Sequence, residues 1–306
     1  MARVGAGIGR RLAGGPDIGH YRGMSAERKT YTVTSALDEN DVWKEFAEPR
    51  LRDLSPNVRA ICQYGLTEMV NNVVDHSGSP TVVMSLELAD GLVKLDVFDN
   101  GVGIFQKLQG ALGLESEHAA ALELAKGRVT TDPARHTGEG IFFTARMFDS
   151  FVLFSGEISF HFGAGRSDWW IEDQASKITG TLVRMHINSS SQRTAREVFD
   201  RFAGGESDFQ FDTTVLLLKL FSEENGHLVS RSQARRLLSR LENFKTVILD
   251  FKGIADIGPA FADEVFRVFQ QAHPETRITP LNASEPVNRM ILRVLTRNGD
   301  LGEQRS

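Results

Sequence analysis

Between residues 56 and 77 the apolar side chains Ile61, Leu66, Met69, Val70 and Val73 recur at helical spacing, but the same run carries Glu68, Asn72, Asp75 and His76. These four are separated by four, three and one residues in turn, which sets them close to one helical face. An acid, an amide and a second acid along the stripe of core residues are costly to bury without a partner. A fold for this chain must either turn that stripe to solvent or set a polar ligand against it. A hydrated metal ion or a phosphate would serve. Mg²⁺ prefers oxygen ligands and keeps several waters, so the Asn72 amide oxygen together with nucleotide phosphates is a plausible shell.

Three glycine-containing runs extend the pattern. Asp99-Asn100-Gly101-Val102-Gly103 follows a β-rich run and places a carboxylate just before two glycines. Such a carboxylate accepts from an exocyclic amine, and the glycines let a ligand approach the backbone; alone, the run also reads as an ordinary Asp-Asn-Gly turn. Thr137-Gly138-Glu139-Gly140 opens a helix whose first N–H groups suit a polyphosphate. Gly180-Thr181 precedes a strand and offers a hydroxyl to a base or a water.

The surroundings give the fold class. Residues 1–29 are rich in Gly and Arg and poor in apolar side chains, so they read as a disordered tail. Residues 1–30 hold six Lys or Arg against two Asp or Glu, on a chain whose net charge is -5. The alternation at Tyr31, Val33 and Ser35 predicts a strand, and helices are expected over about 40–53 and from Ser55-Pro56 to Ser77-Gly78. Residues 81–88 and 92–98 flank Asp90-Gly91 as a hairpin. A helix near 139–149 and strands over 151–162 and 178–187 complete an α+β unit with helices on one face of a mostly antiparallel sheet. A helical connector, Ala195–Phe202, ends in Gly204-Gly205. Beyond it, strands over 213–221, 246–251 and 277–281 alternate with helices over 230–241, 259–272 and 285–296, as in a small α/β domain. The boundaries are then 1–29, 30–187, 188–208 and 209–306.

In this order and at these separations, Glu68-x-x-x-Asn72 with Asp75 and His76, Asp99-x-Gly101-x-Gly103, Gly138-x-Gly140 and Gly180-Thr181 resemble the N box and glycine boxes of the GHKL ATPases, the superfamily of gyrase B-type enzymes, histidine kinases and anti-sigma-factor serine kinases. The resemblance spans about residues 30–187 and implies a Bergerat-type α/β sandwich that binds ATP. It implies Glu68 as general base, Asn72 as the Mg²⁺ ligand, Asp99 on the adenine amine, and Asp75, Gly101, Gly103, Gly138, Gly140 and Thr181 around the nucleotide. Residues from about Ile104 to Thr137 would form a lid loop, on which Arg128, Arg135 and His136 read as exposed charges.

Residues 228–264 are similar to a STAS-like domain of unknown function. Gly258, Pro259 and Ala260 stand where anti-sigma-factor antagonists carry a phosphorylatable Ser, and Ser230 and Ser232 read as helix caps. The implied function is an ATP-binding regulator, a Mg²⁺-dependent ATPase or switch acting on a protein partner. The alternatives are a serine kinase and a module that holds ATP without turning it over. Family analogy adds a homodimer.

Composition bounds these readings. The length of 306 residues suits two domains, and no apolar run approaches a membrane span. The single Cys62, the absence of a secretory leader pattern and the acidic balance point to a cytoplasmic protein without a nucleic-acid-gripping surface. Cys62 and Trp169-Trp170 read as core.

Overall fold

The computed structural model describes residues 26–131, 138–163, 169–202, 212–222 and 227–296. Most of the tail, together with Arg135, His136, Thr137, Gly204 and Gly205, lies outside the described residues.

The first half is an α+β layer. Its sheet is antiparallel throughout, in the order β1-β2-β3-β5-β4, from β1 (Glu27–Thr32), β2 (Thr81–Ala89), β3 (Leu92–Asp99), β4 (Ser150–Gly163) and β5 (Trp169–Asn188). Asp90 and Gly91 both take positive φ, 54° and 73°, which closes the β2–β3 hairpin with the right-handed twist of its strands. β1 starts earlier than its alternation predicted, because Glu27 pairs with Leu86 across the edge. Charge holds this edge strand: Glu27 pairs with Arg50, and Lys29 with Glu45. The tail therefore gives way to structure before residue 30.

Helices cover one face. A helix in three pieces runs through α1 (Glu39–Val42), a π-spaced segment Trp43–Ala47 and α2 (Glu48–Leu51). α3 (Pro56–Asn72) buries Val58, Ile61, Cys62, Leu66, Met69 and Val70 and continues as a π turn, Val73–Ser77, that ends at Gly78 with φ 67°. Ser55 occupies the cap position, but its hydroxyl makes no capping bond and is buried without a partner. α3 crosses closely at Gly65, where a Cβ would lie 2.9 Å from Cζ of Phe148.

The described part of the expected lid loop, residues 104–131, is largely helical instead. It holds α4 (Ile104–Leu112) and α5 (Glu117–Lys126), and the Ser116 hydroxyl caps α5 by accepting from Ala119 N–H at 3.2 Å. α6 (Gly140–Met147) follows. α7 (Ala195–Phe202) falls where the connector was expected, but it packs into the first core: Phe199 and Phe202 meet Phe143 and Phe142 at centroid distances of 4.8 and 5.1 Å. Trp169 is buried, whereas Trp170 is half-buried and stacks on His161.

The second half is a parallel sheet in the order β6-β7-β8, from β6 (Thr213–Leu217), β7 (Thr246–Asp250) and β8 (Arg277–Leu281). Its crossovers are α8 (Arg231–Leu238) and a helix running through α9 (Pro259–Asp263), a π segment Glu264–Phe269 and α10 (Gln270–Ala272); α11 (Glu285–Thr296) closes the unit. Ser230 caps α8 in a reciprocal box with Gln233, whereas Ser232 lies inside the helix with its hydroxyl 2.9 Å from that of Ser230. No described helix is long and apolar enough to cross a membrane.

Candidate functional site

A cavity of about 290 Å³ opens between the end of α3, the end of β3 and the start of α6. Glu68, Asn72 and His76, spaced by four residues, line it from the helix. Asp99, Gly103, Gly138, Gly140 and Thr181 line it from the loops and strand ends, so residues far apart in sequence converge. Asp75 and Gly101 are not among its lining residues. The π turn separates Asp75 from the stripe, and its charge acts on Lys107.

Strand alternation explains the floor. Val93, Leu95, Val97 and Asp99 occupy successive inward positions of β3, so Asp99 continues a row of core side chains and is only 4 % exposed. Burial raises its pKa, and the backbone N–H groups of Gly101 and Thr181 oppose that rise; Gly101 N–H reaches Oδ1 at 2.8 Å. Thr181 is the cross-strand partner of Asp99, and its hydroxyl accepts from Ile104 N–H at 3.1 Å, which caps α4. Gly101 shapes the site from behind, since a Cβ there would collide with the Ser77 carbonyl oxygen. That carbonyl accepts from Val102 N–H at 3.0 Å, and Lys107 Nζ donates to the carbonyl of His76. The last carbonyls of the π turn are thus satisfied by the loop after β3 and by α4.

Glu68 faces α6. Its carboxylate packs so tightly on Gly140 that a Cβ there would overlap Oε2. Burial raises the Glu68 pKa first, and the like charges of Glu39 and Glu139 add to it. One turn on, Asn72 Nδ2 is buried without a hydrogen-bond partner. Because amide oxygen and nitrogen are interchangeable by rotation, the Asn72 side chain presents either a donor or an acceptor to an occupant of the cavity. Among the described residues no group of three or more His, Cys, Asp or Glu could hold a metal ion. A cation here would need oxygens from its own ligand and from water, which suits the expected single amide ligand.

Sequence reasoning did not assign Lys107, Thr130 or Thr131, which also line the cavity. Lys107 is set by α4 packing, and no local spacing signals it. Burial lowers its pKa while Asp75 opposes that shift.

The roof of the cavity continues into the second sheet's unit. Leu124 and Val129 line the cavity, and between them Lys126 is 1 % exposed. Lys126 Nζ donates to Glu123 at 2.6 Å and to the carbonyls of Arg236 and Ser239 at 3.1 and 2.9 Å, at the end of α8. Its own carbonyl accepts from the buried Thr214 hydroxyl at 2.6 Å. Arg128, expected as an exposed charge, instead has φ 53° and a side chain 22 % exposed. It lies 3.5 Å from Glu139 and 3.7 Å from Asp212, and it donates to the Asn243 carbonyl at 2.7 Å. A wall residue of the cavity and two segments of the second unit therefore share one cation.

Residues 233–288 match a STAS-like domain of unknown function (DUF4325). Comparison of the chain with curated proteins finds no match.

Proposed function

We propose that this cavity binds Mg²⁺-ATP and that the chain is an ATP-driven switch acting on a protein partner through its STAS-like unit. The single observation that carries the reading is the Asn72 amide nitrogen, buried without a partner one helical turn from the half-buried Glu68 carboxylate. The resemblance of the ordered motifs to GHKL ATPases supports it. On this reading Asp99 accepts from the adenine amine and is held in place by the Gly101 N–H. The start of α6 has no side-chain cap, so its N–H groups are left for phosphate oxygens, and Lys107 adds a positive charge on the opposite side. Glu68, with a pKa raised by burial, holds or takes a proton from the attacking hydroxyl. Mg²⁺, held by Asn72, would neutralise phosphate charge.

About 290 Å³ is at the low end for ligand sites, so a nucleoside triphosphate has to displace part of the roof. The roof is the segment tied by Lys126 and Arg128 to α8 and Asp212, and its movement would carry occupancy to the STAS-like unit.

The test is incubation of the purified chain with γ-labelled ATP and Mg²⁺, alone and with cell lysate. Free phosphate that falls by orders of magnitude in Glu68→Gln while ATP binding persists is the expected result. Label on a lysate protein would instead identify a serine kinase using the same base. ATP binding unaffected by EDTA and by Asn72→Ala would overturn the assigned metal ligand.

A further inference from the structure

A second cavity, of about 670 Å³, lies where the first layer meets the second sheet. Arg146, Phe162, Trp169, Arg201 and Phe202 line it from the first layer, with Val215 and Leu217 on the far side. Its polar groups are unbalanced. The Arg146 guanidinium carbon stands 3.3 Å from the Phe142 ring centroid and 5.0, 5.1 and 5.4 Å from those of Phe162, Phe202 and Trp169. One of its five N–H groups donates to the Phe142 carbonyl at 3.1 Å, and no carboxylate among the described residues pairs with it. Burial lowers its pKa well below the ordinary value, and the like charge of Arg201 adds to this. The Trp169 indole N–H is also buried without a partner.

The carboxylates that line the cavity are already engaged. Asp149 pairs with Arg193 at 3.0 Å, Glu197 accepts from Thr194 N–H at 3.0 Å, and Asp250 accepts from Lys252 N–H and Asn282 Nδ2, both at 2.9 Å. What is left over is donor and cation, enclosed by flat rings. A half-buried guanidinium walled by rings and without a counter-charge is only partly solvated, and a ligand that supplies the charge offsets that cost.

We propose that this cavity is a second binding site, for a small organic oxyanion with a flat apolar body, whose charged end is taken by Arg146 and Arg201 and whose body lies against Phe162 and Trp169. Bidentate pairing with guanidinium suits carboxylate and phosphate alike. Aromatic walls favour a planar body. The site is separate from the nucleotide reading and does not depend on it.

Isothermal titration of the full chain tests this with naphthalene-2-carboxylate, phenyl phosphate and the neutral naphthalene-2-carboxamide as probes. The expected result is one-to-one binding of at least one anion, with the carboxamide about tenfold weaker or worse, as loss of a charge-assisted contact dictates. The preferred anion tells a carboxylate site from a phosphate site. Arg146→Met should weaken that anion about tenfold or more while melting no lower than the wild type, because it removes a partly desolvated charge that has no counter-ion. Arg201 lies at the exposed rim, so Arg201→Met folds and should weaken the same anion several-fold. Equal affinity for acid and amide, affinity unchanged in both variants, or no binding of either anion at about 1 mM would overturn the proposal. So would an Arg146→Met chain that melts well below the wild type, which would make the guanidinium a structural partner of its rings.

Discussion

Lys126→Met tests how firmly the cavity roof is held to α8. The substitution keeps the apolar stem and removes the ammonium. Two charge-assisted bonds, to Arg236 and Ser239 carbonyls, are lost, and Glu123 is left buried at 4 % exposure with Oε2 already lacking a partner. Removing one partner of a buried pair costs about 3–5 kcal/mol. The single variant should therefore lose about 4 kcal/mol. A Lys126→Met/Glu123→Leu double variant should recover most of the loss, since it leaves no buried charge. Urea unfolding gives the free energies, and hydrogen exchange at residues 117–126 and 231–239 shows whether the roof and α8 open together. A single variant within about 1 kcal/mol of wild type, or a double variant no better than the single, would refute the argument.

Three further outcomes are expected. Glu68 has a folded pKa above its unfolded one, so its contribution to stability is present below the ordinary carboxylate range and is lost as pH rises through the folded value; Glu68→Gln should melt like wild type near pH 4 and progressively higher above it, and a pH-independent difference by scanning fluorimetry would reject this. Gly101→Ala forces a Cβ into the Ser77 carbonyl and should cost about 1–3 kcal/mol in urea while weakening nucleotide, unless the end of α3 yields freely. Cys62 is fully buried with its thiol pushed up to about 12, so Ellman's reagent should label it only at the rate of unfolding; rapid labelling of the native chain would contradict the packing of α3.

Where the information was local, the sequence was readable. Arg277–Leu281, Glu285–Thr296 and Ala195–Phe202 fall on their expected bounds because breakers and periodicity lie within each segment. The polar stripe on α3 was visible because helical spacing alone brings Glu68, Asn72 and His76 together. The helices α4 and α5 were missed because Gly110, Gly113 and Gly127 break up the run, and their apolar faces are explained only by what they pack on. Lys126 and Arg128 were opaque for the same reason: the carbonyls they reach, of Arg236, Ser239 and Asn243, lie more than one hundred residues away in the chain. The hydroxyl of Ser55 shows the converse, a local capping signal that the surrounding structure does not use.

The π turn at Val73–Ser77 has a consequence for how this chain can change over generations. A wider turn holds one residue more than an α-helical turn, and here it points the carbonyls of His76 and Ser77 at Lys107 and Val102. Deleting a single residue from it would return the helix to ordinary winding, with no core side chain changed. Every group beyond the deletion would then turn by about 100°, and both carbonyls would leave their donors. Substitutions in this stretch can drift one at a time, but its length cannot, so loss of one codon there would undo the site more thoroughly than most changes of residue type.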